Sequence, residues 1–305
     1  MLGVIFVILA GILWALDTLI RYPLLYSGVS AEIIVFTEHL ILSIVFIPLL
    51  LKNHFKDFKN IGQINLSTFF YFFVIGVCGS AIGTLTFTKA FMLINPSLVI
   101  LLQKLQPIVA ISLASLVLGE KIKSNFILWA ILALFGGFLI SSPDIFPGLE
   151  KLDFSFALLS ERALYGYFLT LIAVVSWGAS TVFGKKLSGA GFSVVQIMGG
   201  RFIFGFVFMS LYLFSQYHAI SLSMGANLYG KIILMVLISG LLGMYFYYKG
   251  LKLISARACA LAEMFFPFSA VVINWIFLGA KLSMVQIVGA IILLISSLVI
   301  QLKKY

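Results

Sequence analysis

Six polar side chains stand where they are costly. Asp17, Glu38, His39, Lys104, Arg201 and Glu263 each lie well inside a long apolar run. At bilayer depth an ionised side chain costs about 3 kcal/mol by the lower estimates, so such groups must face one another or water. Their types point to ligand recognition and proton movement rather than to bond making. Glu263 has no basic neighbour within a helical turn on its C-terminal side, which makes it the first candidate proton carrier, ahead of Glu38, His39 and Asp17. Asp17 precedes Arg21 by four residues, the spacing of an ion pair along one helix. Glu38 and Arg201 are either substrate contacts or the two ends of a structural bridge. His39 either titrates or packs as a neutral ring. Lys104 either snorkels along its stem towards a surface or contacts substrate or a carboxylate, and its place eight residues into its span favours contact. Trp14 and Trp177 either anchor at the membrane interface or wall a cavity. Tyr245, with Tyr247 and Tyr248, is a candidate polar lining.

Nothing assembles into an enzyme. The histidines His39, His54 and His218 fall in different segments, and Cys78 and Cys259 show neither metal-ligand spacing nor a disulfide framework. There is no Walker-type lysine loop. No catalytic residue, metal or cofactor is expected. The formal charge of +10 does not indicate nucleic acid, because the basic residues gather at one alternating set of joints: Lys52, Lys56, Lys59; Lys121, Lys123; Lys185, Lys186; Lys249, Lys252, Arg257; Lys303, Lys304. The other joints are poor in base or mixed. That pattern orients a multi-pass chain with both termini in the cytoplasm.

The elements that must hold these residues are membrane helices. The chain is 62% hydrophobic and 10% charged, far from the globular norm. Its apolar residues form about ten runs long enough to cross a hydrocarbon layer as helix. The first run, from Leu2, lacks a basic leader and a small-residue cleavage site, so it reads as a retained helix. The chain also repeats itself. Lys89, Pro107 and Gly119 recur as Lys249, Pro267 and Gly279, 160 positions on, and Trp14 and Ser30 recur as Trp177 and Ser193, 163 positions on. Under the same offsets Glu38 matches Arg201, and Gln103 matches Glu263. Five spans per copy is odd, so the copies enter the membrane in opposite senses. The expected fold is an all-α integral membrane protein of ten helices in two inverted five-helix repeats: residues 1–142, an outer linker at 143–164, and residues 165–305. Pro107 and Pro267 are expected to kink the fourth and ninth helices. Gly76, Gly79 and Gly83, and Gly240 and Gly243, recur at spacings that let helices approach closely.

At this point the sequence resembles a known family. It is similar to ten-helix members of the drug/metabolite transporter superfamily, of the bacterial EamA-domain type. The resemblance rests on W-A-L-D-T from Trp14 and W-G-A-S-T from Trp177. It continues in L-Q-P-I-V-A with L-V-L-G-E-K-I, and in F-F-P-F-S-A with I-F-L-G-A-K-L. It covers nearly the whole chain and implies an inner-membrane carrier of small metabolites. Its central cavity would be lined by the first, third and fourth helices of each half. Arg201 matches an arginine frequent in the family's second half, whereas the first half has Glu38 and His39, and the second L-G-E has become Leu278-Gly279-Ala280.

Lys and Arg beside Asp and Glu suit a zwitterion, so the expected activity is alternating-access export of amino acids or related compounds, possible proton coupling included. Uniport and export of organic cations are the alternatives. From another class, a membrane structural protein with a transporter fold would have fully cross-paired inner charges and no ligand-sized cavity. The expected partners are a small molecule, the bilayer and protons, with the chain a monomer or weak dimer.

Overall fold

The computed structural model describes residues 2–54, 65–119, 121–122, 124–146, 160–216, 225–251, 253–254 and 256–302. Lys56, Lys59, Lys123, Lys252, Lys303, Lys304 and most of the linker, 147–159, lie outside the described residues. Among the described residues, ten helices are long and apolar enough to cross a membrane. In the first half they are α1 (Leu2–Tyr26), α2 (Ala31–Lys52), α3 (Leu66–Ala90), α4 (Pro96–Val117) and α5 (Asn125–Ile145). In the second they are α6 (Glu161–Gly189), α7 (Val194–Ser215), α8 (Ala226–Gly250), α9 (Leu261–Leu278) and α10 (Met284–Leu302). In lipid every backbone group must find its partner inside the protein, and a helix achieves that within each span.

The sequence repeat marks helix ends. Ser30 Oγ accepts from the Ile33 N–H at the start of α2. Its counterpart Ser193 caps α7 in a reciprocal capping box with Gln196. The glycines with positive φ pair across the halves in the same way: Gly28 with Gly191 in the first joint, at 89° and 91°, and Gly119 with Gly279 at 69° and 63°. The last two end α4 and α9 in the left-handed conformation, which a residue without Cβ adopts cheaply. The duplicated Leu-Gly is therefore a helix stop.

The halves interlock. α1 packs on α8 and α9, and its counterpart α6 packs on α3 and α4. Each half is thus completed by the first helix of the other. α2 packs on α7, and α5 on α10. α5 and α10 meet at Gly136 and Gly289, where a Cβ on either would lie 2.7 Å from the other's carbonyl oxygen. Small residues at such a crossing let the backbones touch.

Two irregularities recur in both halves. α3 widens into a π-helical stretch at Val74–Ile82, and α8 does so at Val236–Gly243. α4 tightens into a 3-10 turn at Gln103–Leu105 before resuming at Gln106. α9 is interrupted at Met264, between Glu263 and Phe265. Both lie within the four residues before Pro107 and Pro267, the turn in which a proline ring meets the carbonyl four residues back. Both prolines sit in the first turn of a resumed helix, where a missing N–H costs little, and the break comes before them, at Gln103–Leu105 and Met264.

Candidate functional site

A cavity of about 360 Å³ occupies the centre of the bundle. Its walls come from eight helices; neither it nor the adjoining chamber takes a residue from α5 or α10. Trp14, Glu38, His39, Lys104, Trp177, Arg201, Glu263 and Asp17 all line it. A second chamber of about 590 Å³ shares seven lining residues with it, Trp14, Gln103, Gln106, Trp177 and Arg201 among them, and continues along α6 past Thr181 and Lys185 to Ser188. That direction is the end of the bundle where both termini lie, since α6 runs towards it. A third chamber of about 400 Å³ lies at the opposite end, among Tyr22, Tyr26, Asn95, Asp144 and Arg162.

The order along α1 fixes the layout. Trp14 faces both joined chambers, Asp17 and Arg21 face the central one, and Tyr22 and Tyr26 face the far one. Between centre and far end stands an ion cluster. Arg21 Nε donates to Asp17 Oδ2 at 2.6 Å, and Nη2 donates to Asp17 Oδ1 and Glu38 Oε2, both at 3.1 Å. Nη1 donates to Thr88 Oγ1 at 3.1 Å, and the Ser239 hydroxyl donates to Asp17 Oδ1 at 2.8 Å. One guanidinium so ties α1, α2 and α3, and Asp17 carries the tie to α8. Past it, Asn95 Nδ2 donates to the Lys281 carbonyl and Arg162 Nη2 to the Met92 carbonyl, at 2.9 and 2.6 Å. Asp144 accepts from Tyr167 and Gln286 at 2.6 and 3.1 Å.

The bridge between Glu38 and Arg201 is not the one that forms. Glu38 pairs with Arg21, and Arg201 Nη2 donates to the Gly79 carbonyl at 3.3 Å. The equivalent carbonyl in the other half, Ser239 O, accepts from Trp14 Nε1 at 3.1 Å. Both carbonyls belong to π-helical stretches. Widened turns present backbone acceptors to side chains from outside the helix, which is one use of such turns at functional sites.

His39 is packed. Its Nδ1 lies 2.7 Å from the Val35 carbonyl, which can only accept, and its Nε2 lies 2.9 Å from the Ser80 hydroxyl. Both ring nitrogens are engaged. Glu263 Oε1 accepts from the Tyr247 hydroxyl at 2.8 Å and from Cys259 Sγ at 3.2 Å. Lys104 sits with its ammonium 5.7 Å from the Phe266 ring centroid and close enough to Glu263 for their charges to interact. Gln103 Oε1 and Arg201 Nε are buried and hold no hydrogen bond among the described residues.

Trp14 and Trp177 wall the cavity. Trp14 lies 5.3 Å from Tyr247 and 6.1 Å from Phe266 between ring centroids, and Trp177 lies 5.0 Å from Phe87. Each indole rests on a glycine of the other half, Gly243 under Trp14 and Gly83 under Trp177. Tyr245 requires correction: it is 57% exposed and lines no chamber, and Lys249 Nζ reaches its hydroxyl at 3.4 Å. Tyr247 and Tyr248 line the second chamber instead. The π-helical stretch just before them rotates the next turns of α8, so ordinary helical period does not tell which tyrosine faces the chamber.

The ions of the central cavity balance. Asp17, Glu38 and Glu263 oppose Arg21, Lys104 and Arg201. The centre is hollow, in contrast to the fully cross-paired, solid interior that a purely structural protein would have. Residues that sequence reading passed over include Ser239 and Thr88, which hold the ion cluster, and Phe87 and Phe266 on the walls. Ser239 was findable as the repeat counterpart of Gly79.

A sequence model of the EamA-like transporter family matches residues 1–142 and 164–302. The chain is 32% identical over 299 residues to the riboflavin transporter ImpX of Fusobacterium nucleatum subsp. nucleatum, covering 96% of this chain and 95% of that protein. A solved structure described only as the crystal structure of a protein superposes with a TM-score of 0.57 at 14% identity, covering 98% of this chain and 95% of the other. That likeness concerns the fold alone.

Proposed function

The chain belongs to the EamA-like transporter family, and from that membership we propose that it carries a flat, uncharged heteroaromatic metabolite of the riboflavin class across the membrane. It is a multi-pass membrane protein and a transporter of small molecules. The finer assignment draws on the relative's name and on the make-up of the central cavity, the observation that supports it most. Indole and phenyl rings suit a planar ring system. Three acids against three bases leave no formal excess to attract a charged cargo. Gln103 Oε1 lacks a donor and Arg201 Nε lacks an acceptor among the described residues, and a neutral cargo with amide-like edges supplies both. A cavity of about 360 Å³ lies within the range of roughly 300–1,000 Å³ that holds small molecules. We take both termini to be cytoplasmic, because Lys52, Lys121, Lys185, Lys186 and Lys249 mark that end.

Export of a zwitterionic amino acid is the second reading. Lys104 and Glu263 favour it, since they line one cavity from opposite halves. It is weakened at Glu38, whose charge Arg21 already meets. Purified protein in proteoliposomes separates the two. Saturable riboflavin flux, with amino acids and organic cations near background, is the expected result. Saturable amino-acid flux without riboflavin flux rejects the flavin assignment.

Coupling to protons, if present, is assigned to Glu263, the cavity carboxylate held by a phenol and a thiol instead of an ion pair among the described residues. Flux should then respond to an imposed pH gradient. Glu263→Gln is expected to abolish that response while binding, measured by quenching of flavin fluorescence, stays within about threefold. Flux indifferent to the gradient in the unsubstituted chain identifies a uniporter instead.

A further inference from the structure

We propose that the two joined chambers divide the cargo, the central cavity holding the planar ring and the second chamber holding its polyhydroxylated chain. This rests on the flavin reading and goes beyond it by fixing the orientation of the bound molecule and the residues that recognise each part. The walls differ in chemistry. The central cavity adds the rings of Phe87 and Phe266 to the shared indoles of Trp14 and Trp177, and its own polar groups, Lys104 and Glu263 among them, are mostly charged. Its hydrogen-bonding carboxylates at the deep end, Asp17 and Glu38, are engaged by Arg21 and Ser239. A chain of hydroxyls placed there would have to compete with a guanidinium.

The second chamber adds Ser180, Thr181, Ser188 and Tyr248, beside Gln106 at the junction of the two. Hydroxyls and amides both donate and accept, as a polyol requires. Their present bonds are readily exchanged. Gln106 Nε2 donates to Thr181 Oγ1 at 3.2 Å. Among the described residues the Tyr248 hydroxyl has only the Met198 thioether as acceptor, at 3.7 Å, and a thioether is a weak one. A cargo hydroxyl is a better partner for each. The indoles of Trp14 and Trp177 stand at the junction, lining both chambers, where the ring ends and the chain begins. The ring therefore lies towards Arg21 and the chain towards the end that carries the termini.

The experiment compares riboflavin with lumichrome, the same ring without the chain, by fluorescence quenching on the full chain in detergent. Thr181→Val and Tyr248→Phe are tested separately, each checked by its melting temperature. We expect each to weaken riboflavin about five- to tenfold, the cost of one hydrogen bond, and lumichrome less than twofold. Phe87→Ala and Phe266→Ala are expected to weaken both ligands alike. Tyr248→Phe removes one oxygen and nothing else, so it keeps the test alive where a larger change disturbs folding. Equal losses for both ligands in the second-chamber variants overturn the proposal. So does a reversed pattern, in which Ser239→Ala weakens riboflavin alone. Failure of the unsubstituted chain to bind either ligand defeats the cargo assignment beneath it, and that outcome is visible before any variant is made.

Discussion

Arg21→Gln will lower the melting temperature sharply and silence transport. The guanidinium is 5% exposed at its side chain and meets two carboxylates, a hydroxyl of α3 and, through Asp17, a hydroxyl of α8. Its removal leaves Asp17 and Glu38 as buried like charges without a cation in contact. Breaking a buried pair by deleting one partner costs about 3–5 kcal/mol, because the survivor stays desolvated. Here two survivors also repel each other. The control is Asp17→Asn, Arg21→Gln and Glu38→Gln together, which removes all three charges and keeps the shapes. We expect it to recover most of the lost stability and none of the transport. The cluster stands between the central cavity and the far chamber and joins helices of both halves, so an alternating-access cycle would require it to rearrange. A single Arg21→Gln variant that melts within a degree of the unsubstituted protein would show that the cluster does not hold the bundle.

The same cluster shows what can be read from this sequence and what cannot. The pairing of Asp17 with Arg21 follows from four-residue spacing on one helix, and the ten spans and the inverted repeat follow from hydropathy and offset. The offsets also locate helix ends, since Ser30, Ser193, Gly119 and Gly279 do the same work in both halves. The partner of Glu38 could not be read this way. Offset makes Arg201 its counterpart, but equivalence under a repeat is not contact. Arg201 reaches a carbonyl of α3, and Glu38 turns to α1. The azimuths after a π-helical stretch were equally hidden, because the extra residue per turn carries no signature beyond small residues such as Gly240 and Gly243. That is why the sequence could name Tyr245, Tyr247 and Tyr248 as candidates without separating Tyr245 from the two that line the second chamber. Pro107 and Pro267 pointed to the irregular turns just before them, though not to the 3-10 geometry at Gln103–Leu105 or the break at Met264.

Gly243→Val should cost transport without unfolding the protein, and Gly83→Val should do the same from the other half. A Cβ at Gly243 would lie 2.7 Å from Trp14 Nε1 and 2.9 Å from its Cδ1; at Gly83 the corresponding distances to Trp177 are 2.9 and 3.1 Å. Neither glycine has positive φ, so the strain is steric and falls on the indole. A branched side chain pushes Trp14 off its seat and breaks its bond to the Ser239 carbonyl. The ring has free volume to move into, namely the cavity, and it then occupies the space of the cargo. Overpacking of this kind costs about 1–3 kcal/mol, which would appear as roughly a ten- to hundredfold loss of binding. Gly230→Ala is the control. It lies on the same helix, meets nothing within 4 Å and should leave flux and melting temperature unchanged. If Gly243→Val transports as well as Gly230→Ala, Trp14 is not a wall of the binding site. If it melts as low as the Arg21→Gln variant, the glycine serves helix packing alone. The pair of substitutions, one in each half, also tests the symmetry of the site. Similar losses from Gly83→Val and Gly243→Val mean that the cargo touches both indoles, as a ring bound between two interlocked halves must.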